Sequence, residues 1–380
     1  MDCYRRSIEV ILQNQHSSGS YVASPNFPTY HYCWLRDGSF IAHAMDRAGE
    51  FTSAEAFYRW VGRTIQKYGD KVEDIRQRLD SGLPFGKDDV LHTRYTLDGE
   101  EVTVDSAWGN FQIDGYGTWL WALAEHVRFS GNAVLLKDLI EPIRITLQYL
   151  DLVWQLPNYD CWEEHPEYLH LYSLTTVFAG FNSIACLQEK GLIPESGIPL
   201  RKKAEQIKEF LLKYAVFDGK MVKHIWPARN AKPPQPIPQS GVDASLIGIA
   251  VPYRVLTLDD PLVKKTIQTI ESDLLRPGGG VYRYKADVYY GGGEWILLTA
   301  WLGWYYVQIG KIDEAKKLIA WIESQASGEG FLPEQVNSHT LSPEHYEPWL
   351  RKWGPVASPL LWSHAMYIIL INEIKQTQAK

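Results

Sequence analysis

The chain alternates between two kinds of hydrophobic pattern. In some segments apolar residues recur at spacings of three and four with charged residues between them, as at Val263, Ile267, Ile270 and Leu274, which predicts surface helices with one buried side. Other segments are apolar nearly all round over a helical length, which indicates burial on every face. These segments lie at residues 113–127, 168–187, 295–309 and 358–371. The pattern therefore predicts central helices that alternate with outer ones.

Together the two patterns predict about twelve helices, the odd ones outer and the even ones inner. The helices begin near Cys3, Asp37, Ser53, Gln112, Pro142, Tyr168, Arg201, Val242, Pro261, Glu294, Asp313 and Ser358. Connections from an inner helix to the next outer helix are mostly short. Connections from an outer helix to the next inner helix are long, and they span residues 15–36, 69–110, 156–167, 216–241, 275–293 and 326–357.

Six pairs of alternating helices whose long connections lie at one end describe an (α/α)6 barrel. We therefore predict an all-α fold, formed by a single domain over residues 1–380. The long connections and the N-termini of the inner helices would then share one face, where functional residues are expected. An α-solenoid of stacked hairpins is the alternative. The lack of a sequence repeat with a period of about 30–50 residues disfavours it.

Charge and aromatic content narrow the class of ligand. The 380 residues include 45 acidic and 38 basic ones, for a formal charge of −7, which argues against a nucleic-acid partner. The chain also contains 15 Trp, 22 Tyr and 12 Phe, more rings than a core of this size usually holds. Such an excess is typical of a site where flat apolar faces of a ligand stack on aromatic side chains.

The sequence predicts neither a metal or cofactor site nor a membrane segment. Its four cysteines lie far apart, and its eleven histidines form no HExxH motif. The most apolar run, residues 295–309, is shorter than the roughly 20 residues needed to cross a bilayer. Charged residues near the N-terminus interrupt any secretory signal. If Met1 is the natural start, a soluble, cytoplasmic protein is expected.

The first long connection ends in an Arg-Asp pair among aromatic rings. Arg36 and Asp37 lie at the start of a predicted inner helix, preceded by Tyr30 and Trp34. An arginine and a carboxylate side by side can hold two neighbouring sugar hydroxyls, one accepting and one donating a hydrogen bond. The alternative is structural, with Asp37 capping the helix and Arg36 pairing with it.

A pair of adjacent carboxylates, Glu163 and Glu164, follows Trp162 in the third long connection. Burial against Trp162 and repulsion from the neighbouring carboxylate would raise one pKa, as a general acid requires. The alternative is that both are acidic residues favoured at a helix start, where the helix dipole stabilises the ionised form.

In the last long connection, Glu334 lies between Pro333 and Gln335 in an apolar stretch. A nearby helix N-terminus would keep Glu334 ionised, as a general base requires. The alternative is a loop glutamate in a surface salt bridge. Two carboxylates in an aromatic cleft on a helical barrel point toward a sugar substrate.

Six sequence blocks, in order along nearly the whole chain, resemble glycoside hydrolase family 15. This family includes the glucoamylases, glucodextranases, isomaltose glucohydrolases and related trehalases. The blocks are Tyr-x-Tyr-x-Trp-x-Arg-Asp at 30–37, Trp-Gly-Asn-Phe-Gln-Ile-Asp at 108–114, Trp-Glu-Glu at 162–164, Arg-Tyr-x-x-Asp-Val-Tyr-Tyr at 283–290, Pro-Glu-Gln at 333–335 and Pro-Leu-Leu-Trp-Ser-His at 359–364.

The resemblance implies an (α/α)6 barrel that hydrolyses α-glucosidic bonds from the non-reducing end with inversion and without a cofactor. It implies Glu163 as the general acid and Glu334 as the general base, with their carboxyls roughly 6.5–9.5 Å apart. The residues implied to bind the terminal glucose are Tyr30, Trp34, Arg36, Asp37 and Arg283, and those implied to shape the pocket and its leaving-group side are Trp108, Trp162 and Glu164.

The chain departs from many relatives of this kind in its length. It has room for neither the N-terminal β-sandwich of bacterial relatives nor the starch-binding domain of fungal ones. We therefore expect a short α-glucoside as substrate, with α-1,6 linkages (isomaltose-type) favoured, while α-1,4 glucoamylase and trehalase activity stay open. A non-catalytic sugar-sensing domain is the alternative of a different class. The oligomeric state is left open.

Overall fold

A computed structural model of the chain describes residues 2–86, 88–102 and 108–378. Its α-helices are α1 (Cys3–Gln13), α2 (Leu35–Ala48), α3 (Phe51–Lys67), α4 (Asp70–Asp80), α5 (Asp114–Ser130), α6 (Leu136–Val153), α7 (Leu171–Glu189), α8 (Leu200–Tyr214), α9 (Pro261–Leu274), α10 (Ile296–Gln308), α11 (Ile312–Ser324), α12 (Tyr346–Trp353) and α13 (Leu361–Gln378). Short 3-10 helices lie at Pro28–Tyr30, Pro238–Ser240, Ala244–Ile249, Tyr289–Gly291 and Pro343–His345.

Six inner elements close into a ring. In order around the ring they are α2, α5, α7, the 3-10 helix Ala244–Ile249, α10 and α13, which returns to α2. The outer helices α1, α3, α8, α9 and α11 each pack on an inner element, and α6 packs on α3. The inner helices are buried over nearly their whole length because their apolar residues face both the ring and the outer layer. The (α/α)6 barrel is confirmed.

One predicted inner helix is only a short 3-10 helix. The segment expected to begin near Val242 forms Ala244–Ile249, capped by the Asp243 carboxylate, which accepts a hydrogen bond from the Ser245 amide. Pro252 follows and cannot donate a backbone hydrogen bond, so the segment does not lengthen into a regular helix.

Three further differences concern the expected helix boundaries and connections. Two connections contain helices, α4 within 69–110 and α12 within 326–357. In addition, α6 begins at Leu136 rather than near Pro142 and carries that proline in its interior, because buried leucines extend its apolar side before the proline.

The extent of the single domain expected over residues 1–380 stays a prediction. Residues 1, 87, 103–107 and 379–380 of that range lie outside the described residues.

Very short strands precede three of the inner helices. All strands of the described residues are β1 (Cys33–Trp34), β2 (Arg94–Tyr95), β3 (Leu169–His170), β4 (Val216–Phe217), β5 (Lys220–Met221), β6 (His224–Trp226), β7 (Gln235–Pro236), β8 (Val281–Tyr282), β9 (Glu294–Trp295) and β10 (Gln335–Val336). The strands that directly precede an inner helix are β1, β3 and β9. All pairs are antiparallel: β1 with β2, β3 with β6, β6 with β7, β4 with β5, and β9 with both β8 and β10. These pairings fix the first residues of α2, α7 and α10, because each helix begins directly after its strand.

No helix among the described residues is long and apolar enough to span a membrane.

Glycine allows α5 and α7 to approach closely. A Cβ atom at Gly117 on α5 would collide with the backbone of Thr176 on α7, and a Cβ at Gly180 would lie 3.1 Å from the Gly117 carbonyl oxygen. Backbone cannot move aside as a flexible side chain can. This contact therefore sets the spacing of two adjacent inner helices.

We predict that Gly117→Ala lowers the free energy of unfolding by about 2 kcal/mol, because the new methyl group forces the two inner helices apart. Chemical denaturation measures the change. Gly303→Ala on α10 is the matched control, since its Cβ would meet the side chain of Leu370, at 2.7 Å from Cδ2, which can rotate away. Equal stability of the two variants would contradict the close-approach argument.

Candidate active site

A cleft of about 350 Å³ opens at the N-terminal ends of the inner helices. All ten residues that the sequence singles out line this cleft, namely Tyr30, Trp34, Arg36, Asp37, Trp108, Trp162, Glu163, Glu164, Arg283 and Glu334. They come from five separate connections and helix starts. The fold therefore brings together residues that lie up to 304 positions apart in the sequence.

Arg36 and Asp37 lie in the first turn of α2 and are both buried. Their side chains form an ion pair, with 3.2 Å between Arg36 Nε and an Asp37 carboxylate oxygen. Arg36 Nη1 also donates to Gln112 at 3.1 Å and to Asp114 at 3.2 Å. Burial raises the pKa of Asp37 to about 6, although Arg36 opposes the shift. Trp34, not Asp37, occupies the N-cap of α2, so of the structural alternative the capping is wrong and the pairing with Arg36 is present.

Glu163 lies in a tight turn with a left-handed backbone conformation, φ 68°. The turn is closed by backbone hydrogen bonds between Asp160 and residues Glu163 and Glu164, each 2.9 Å long. The Glu163 carboxylate accepts a 2.5 Å hydrogen bond from the Trp34 indole. Its pKa is raised by burial, and the positive charge of Arg36 opposes that shift. The direction of this pKa shift agrees with the expectation, with burial as its cause, whereas repulsion from Glu164 is not among the causes.

Glu334 is 3% exposed and directly precedes β10. Burial raises its pKa to about 8, while Arg283 and hydrogen bonds from Tyr30 and Tyr289 act in the opposite direction. The chain continues after Glu334 as a strand paired with β9, and the start of α10 lies beside it, with the Ile296 amide donating to the Glu334 carbonyl oxygen at 3.3 Å. A surface salt bridge is wrong because Glu334 is buried, while the effect of the helix end on its ionisation stays a prediction.

Tyr30 lines the cleft together with the two glutamates. Its hydroxyl is 2.7 Å from that of Tyr289, and its ring packs edge-on against Trp34 at 5.6 Å between centroids. Burial raises the pKa of Tyr30 well above its ordinary value, and the charges of Glu334 and Glu163 both add to the shift. Tyr30 therefore stays a neutral hydroxyl that faces both glutamates.

Arg283 is buried beside Glu164. Its guanidinium group forms two hydrogen bonds to Asp287, at 2.7 and 2.5 Å, and lies 3.6 Å from a Glu164 carboxylate oxygen. The Tyr284 hydroxyl donates to the other Glu164 oxygen at 2.5 Å. The planar guanidinium is therefore fixed from one side by Asp287, which leaves its cleft-facing side to act on Glu164 and Glu334.

Aromatic rings form the walls of the cleft. Trp34 and Trp108 meet at 6.1 Å between centroids on one side. Trp162 and Trp295 meet at 5.3 Å on the other, and the Trp162 indole donates to Asp243 at 2.8 Å. Aromatic side chains beside carboxylates match the two kinds of surface of a pyranose ring, which has apolar C–H faces and a polar edge.

Several lining residues were missed as candidates by the sequence analysis. They are Tyr289, Trp295, Trp349, Lys352, Trp353 and Trp362. Tyr289 and Trp295 occur in the aromatic run that follows Arg283, and that aromatic content was the available signal. Trp349 and Trp353 are four residues apart, the spacing that places two side chains on one face of α12.

Three buried side chains are spaced closely enough to hold a metal ion, Asp160, His170 and His224. Their donor atoms are already engaged. The two imidazoles share a 2.8 Å hydrogen bond, and His170 Nε2 lies 2.6 Å from the Asn158 carbonyl oxygen. The ammonium of Lys223 lies 3.3 Å from Asp160 and would repel a cation. The residues present therefore fit a hydrogen-bonded network better than a metal site.

Comparison with known proteins identifies the family. The profile of a family described as "Glycosyl hydrolases family 15" matches residues 1–372. The chain belongs to glycoside hydrolase family 15. It is therefore a glycoside hydrolase, and the (α/α)6 barrel is the fold seen in its structural relatives.

Relatives within family 15 differ in the activities for which they are named. The isomaltose glucohydrolase of Kribbella flavida is 37% identical over 97% of this chain and 92% of its own length. Trehalase 1 of Sulfolobus acidocaldarius is 21% identical over 84% of this chain and 56% of its own. A solved wild-type glycosidase structure superposes with a TM-score of 0.88 at 36% identity, covering 98% of this chain and 96% of its own. A glycosidase variant in complex with glucose gives the same values.

The Tyr289 hydroxyl lowers the pKa of Glu334 in this family 15 site. We predict that Tyr289→Phe raises this pKa further above its ordinary value, so that a smaller fraction of Glu334 is ionised at any given pH. Carbon NMR of labelled glutamate carboxyls measures the titration, with Glu334→Gln assigning the signal. Tyr284→Phe is the control, because its hydroxyl donates to Glu164. A fall in the pKa of Glu334 in Tyr289→Phe would contradict the assignment.

Proposed function

We propose that the protein hydrolyses short α-glucosides from the non-reducing end with inversion, releasing β-glucose, and that it favours α-1,6 linkages. The observation that carries the proposal is the placement of Glu163 and Glu334 in one aromatic cleft, where the charges of both act on the Tyr30 hydroxyl. Such a pair provides an acid and a base on separate sides of a bound sugar, which is the arrangement that a single displacement requires.

In this proposal Glu163 is the general acid. A proton donor must be protonated when substrate binds, and burial raises the pKa of Glu163 toward that state. The Trp34 indole donates to one carboxylate oxygen of Glu163, Oε1, and so orients the carboxyl group. Glu163 then donates this proton to the glycosidic oxygen as the bond to the anomeric carbon breaks.

Glu334 is the general base, which activates a water molecule on the opposite face of the sugar. A base must be ionised, and the burial of Glu334 opposes ionisation. Arg283 and the hydroxyls of Tyr30 and Tyr289 counteract the burial. A water that donates a hydrogen bond to the carboxylate favours the ionised form in the same way. Activity is therefore expected to fall as the pH drops below the pKa of Glu334.

The Arg36–Asp37 pair holds the hydroxyls of the terminal glucose. Both side chains are buried at the wall of the cleft, and Arg36 Nε and one oxygen of Asp37 lie 3.2 Å apart. Sugar hydroxyls both donate and accept, so a guanidinium and a carboxylate side by side can hold two neighbouring hydroxyls. Binding of the chain end at this pair is the step that gives exo action in this proposal, with Trp162 and Glu164 on the leaving-group side.

The proposed preference for α-1,6 linkages rests on the sequence identity between this chain and its relatives. The relative named isomaltose glucohydrolase shares 37% identity over nearly equal lengths, whereas the relatives named trehalase share 20–24%. The expected partner is therefore a small oligosaccharide of the isomaltose type.

We predict that Glu163→Gln and Glu334→Gln each lower kcat on isomaltose by about 100- to 10,000-fold, because each removes one half of the proton transfer. Glucose release is measured on isomaltose, maltose and trehalose in parallel, and the wild-type protein is expected to give the highest kcat/KM with isomaltose. Glu167→Gln, a half-exposed glutamate of the same connection, is the control and should retain wild-type rates.

Circular dichroism and thermal unfolding check that both variants keep the wild-type fold. Wild-type rates in both variants would show that these carboxylates are not the acid and base. Binding of the three disaccharides without hydrolysis by the wild-type protein would favour a sugar-sensing domain instead.

A further inference from the structure

A buried lysine lies directly behind the turn that carries Glu163. The Lys223 ammonium is 3.3 Å from Asp160 and 3.3 Å from Asp243, and it lies 3.7 Å from the centroid of the Tyr284 ring. Lys223 is 6% exposed. Burial alone would lower its pKa, but the two carboxylates raise it above its ordinary value. The lysine is therefore a fixed positive charge between two buried anions.

The Asp160 carboxylate holds the turn on both sides of Glu163. One of its oxygens accepts hydrogen bonds from the backbone amides of Trp162 and Glu164, each 2.9 Å long. The other faces Lys223. Glu163 has a left-handed backbone, which is unfavourable for a residue with a side chain and persists only where its surroundings impose it. The amides that flank Glu163 are therefore oriented by a carboxylate that Lys223 fixes.

The same ammonium orients the residues next to Glu163. The oxygen of Asp243 that pairs with Lys223 also accepts from the Trp162 indole. The ring of Tyr284 lies against the ammonium, and its hydroxyl donates to Glu164. Trp162, Glu163 and Glu164 are thus each connected to Lys223 through a single intervening residue.

We infer that Lys223 is a positioning residue for the general acid, holding the Glu163 turn in its strained conformation through Asp160 and Asp243. The inference rests on the proposed function of Glu163 as acid. The backbone of Lys223 is fixed independently, since it exchanges hydrogen bonds with Leu171 and Gly241. A change at its side chain therefore acts mainly on the turn.

This role makes a prediction that a merely structural role does not. A displaced acid slows substrates whose leaving group needs a proton, whereas a substrate with a good leaving group is affected little. Isomaltose has a sugar alkoxide as leaving group, and α-glucosyl fluoride has fluoride. Loss of the Lys223 side chain should therefore slow the hydrolysis of isomaltose much more than that of α-glucosyl fluoride. General damage to the cleft would slow both alike.

The test is Lys223→Met, which keeps the aliphatic stem and removes the charge. The expected result is a loss of about 100-fold in kcat on isomaltose, the scale of a displaced catalytic group, with a loss below about threefold on α-glucosyl fluoride. Glu163→Gln is the reference variant, because its rate losses on the two substrates show the effect of removing the acid itself. Lys232→Met, at an exposed lysine, is the matched control and should keep wild-type rates on both substrates.

Asp243→Asn is the second variant in case Lys223→Met does not fold. It removes one charge from the lysine, and its single side-chain oxygen can serve either the Trp162 indole or the Ser245 amide. The loss of activity on isomaltose should again exceed the loss on α-glucosyl fluoride, by a smaller factor than in Lys223→Met. Equal losses on the two substrates, or no loss, in the folded variants would overturn the inference. Failure of the wild-type protein to hydrolyse either substrate would instead overturn the proposed function, and the two failures are thereby distinguished.

Discussion

Arg36 is buried between the first turns of two adjacent inner helices, and much of the cleft is arranged around its charge. On one side it pairs with Asp114 at the start of α5, and on the other with Asp37 of its own helix. It is also the charge that most strongly opposes the burial of Glu163. Without this buried cation, the carboxylates of Asp37, Asp114 and Glu163 would lie close together in a low-dielectric space. Their ionised forms would then be strongly disfavoured.

The two glutamates, Glu334 buried and Glu163 half-buried, have different surroundings. Glu163 receives an indole hydrogen bond and faces Arg36, whereas Glu334 faces Arg283 and two tyrosine hydroxyls. Each therefore has its own cation and its own neutral donors. Burial nevertheless raises both pKa values, so in the proposed mechanism the water that donates to Glu334 favours its ionised form while Glu163 stays protonated.

The sequence was sufficient to predict the elements that depend on local pattern. The fully apolar inner helices and the Arg36–Asp37 pair at a helix start are set by periodicity and by neighbouring residues. The turn at Glu163 was not predictable, because its left-handed backbone depends on Asp160 and, through it, on a lysine 60 positions away. Likewise, the surroundings of Glu334 are set by β-pairing with β9, which two-residue strands do not reveal in sequence.

The central claim, hydrolysis with inversion by Glu163 and Glu334, is tested most directly by the anomeric form of the first product. A proton NMR time course of the purified protein with isomaltose distinguishes the two anomers of released glucose before they interconvert. The account predicts that β-glucose is detected first, followed by α-glucose as mutarotation proceeds. Detection of α-glucose first would mean retention, and it would contradict the roles assigned to both glutamates.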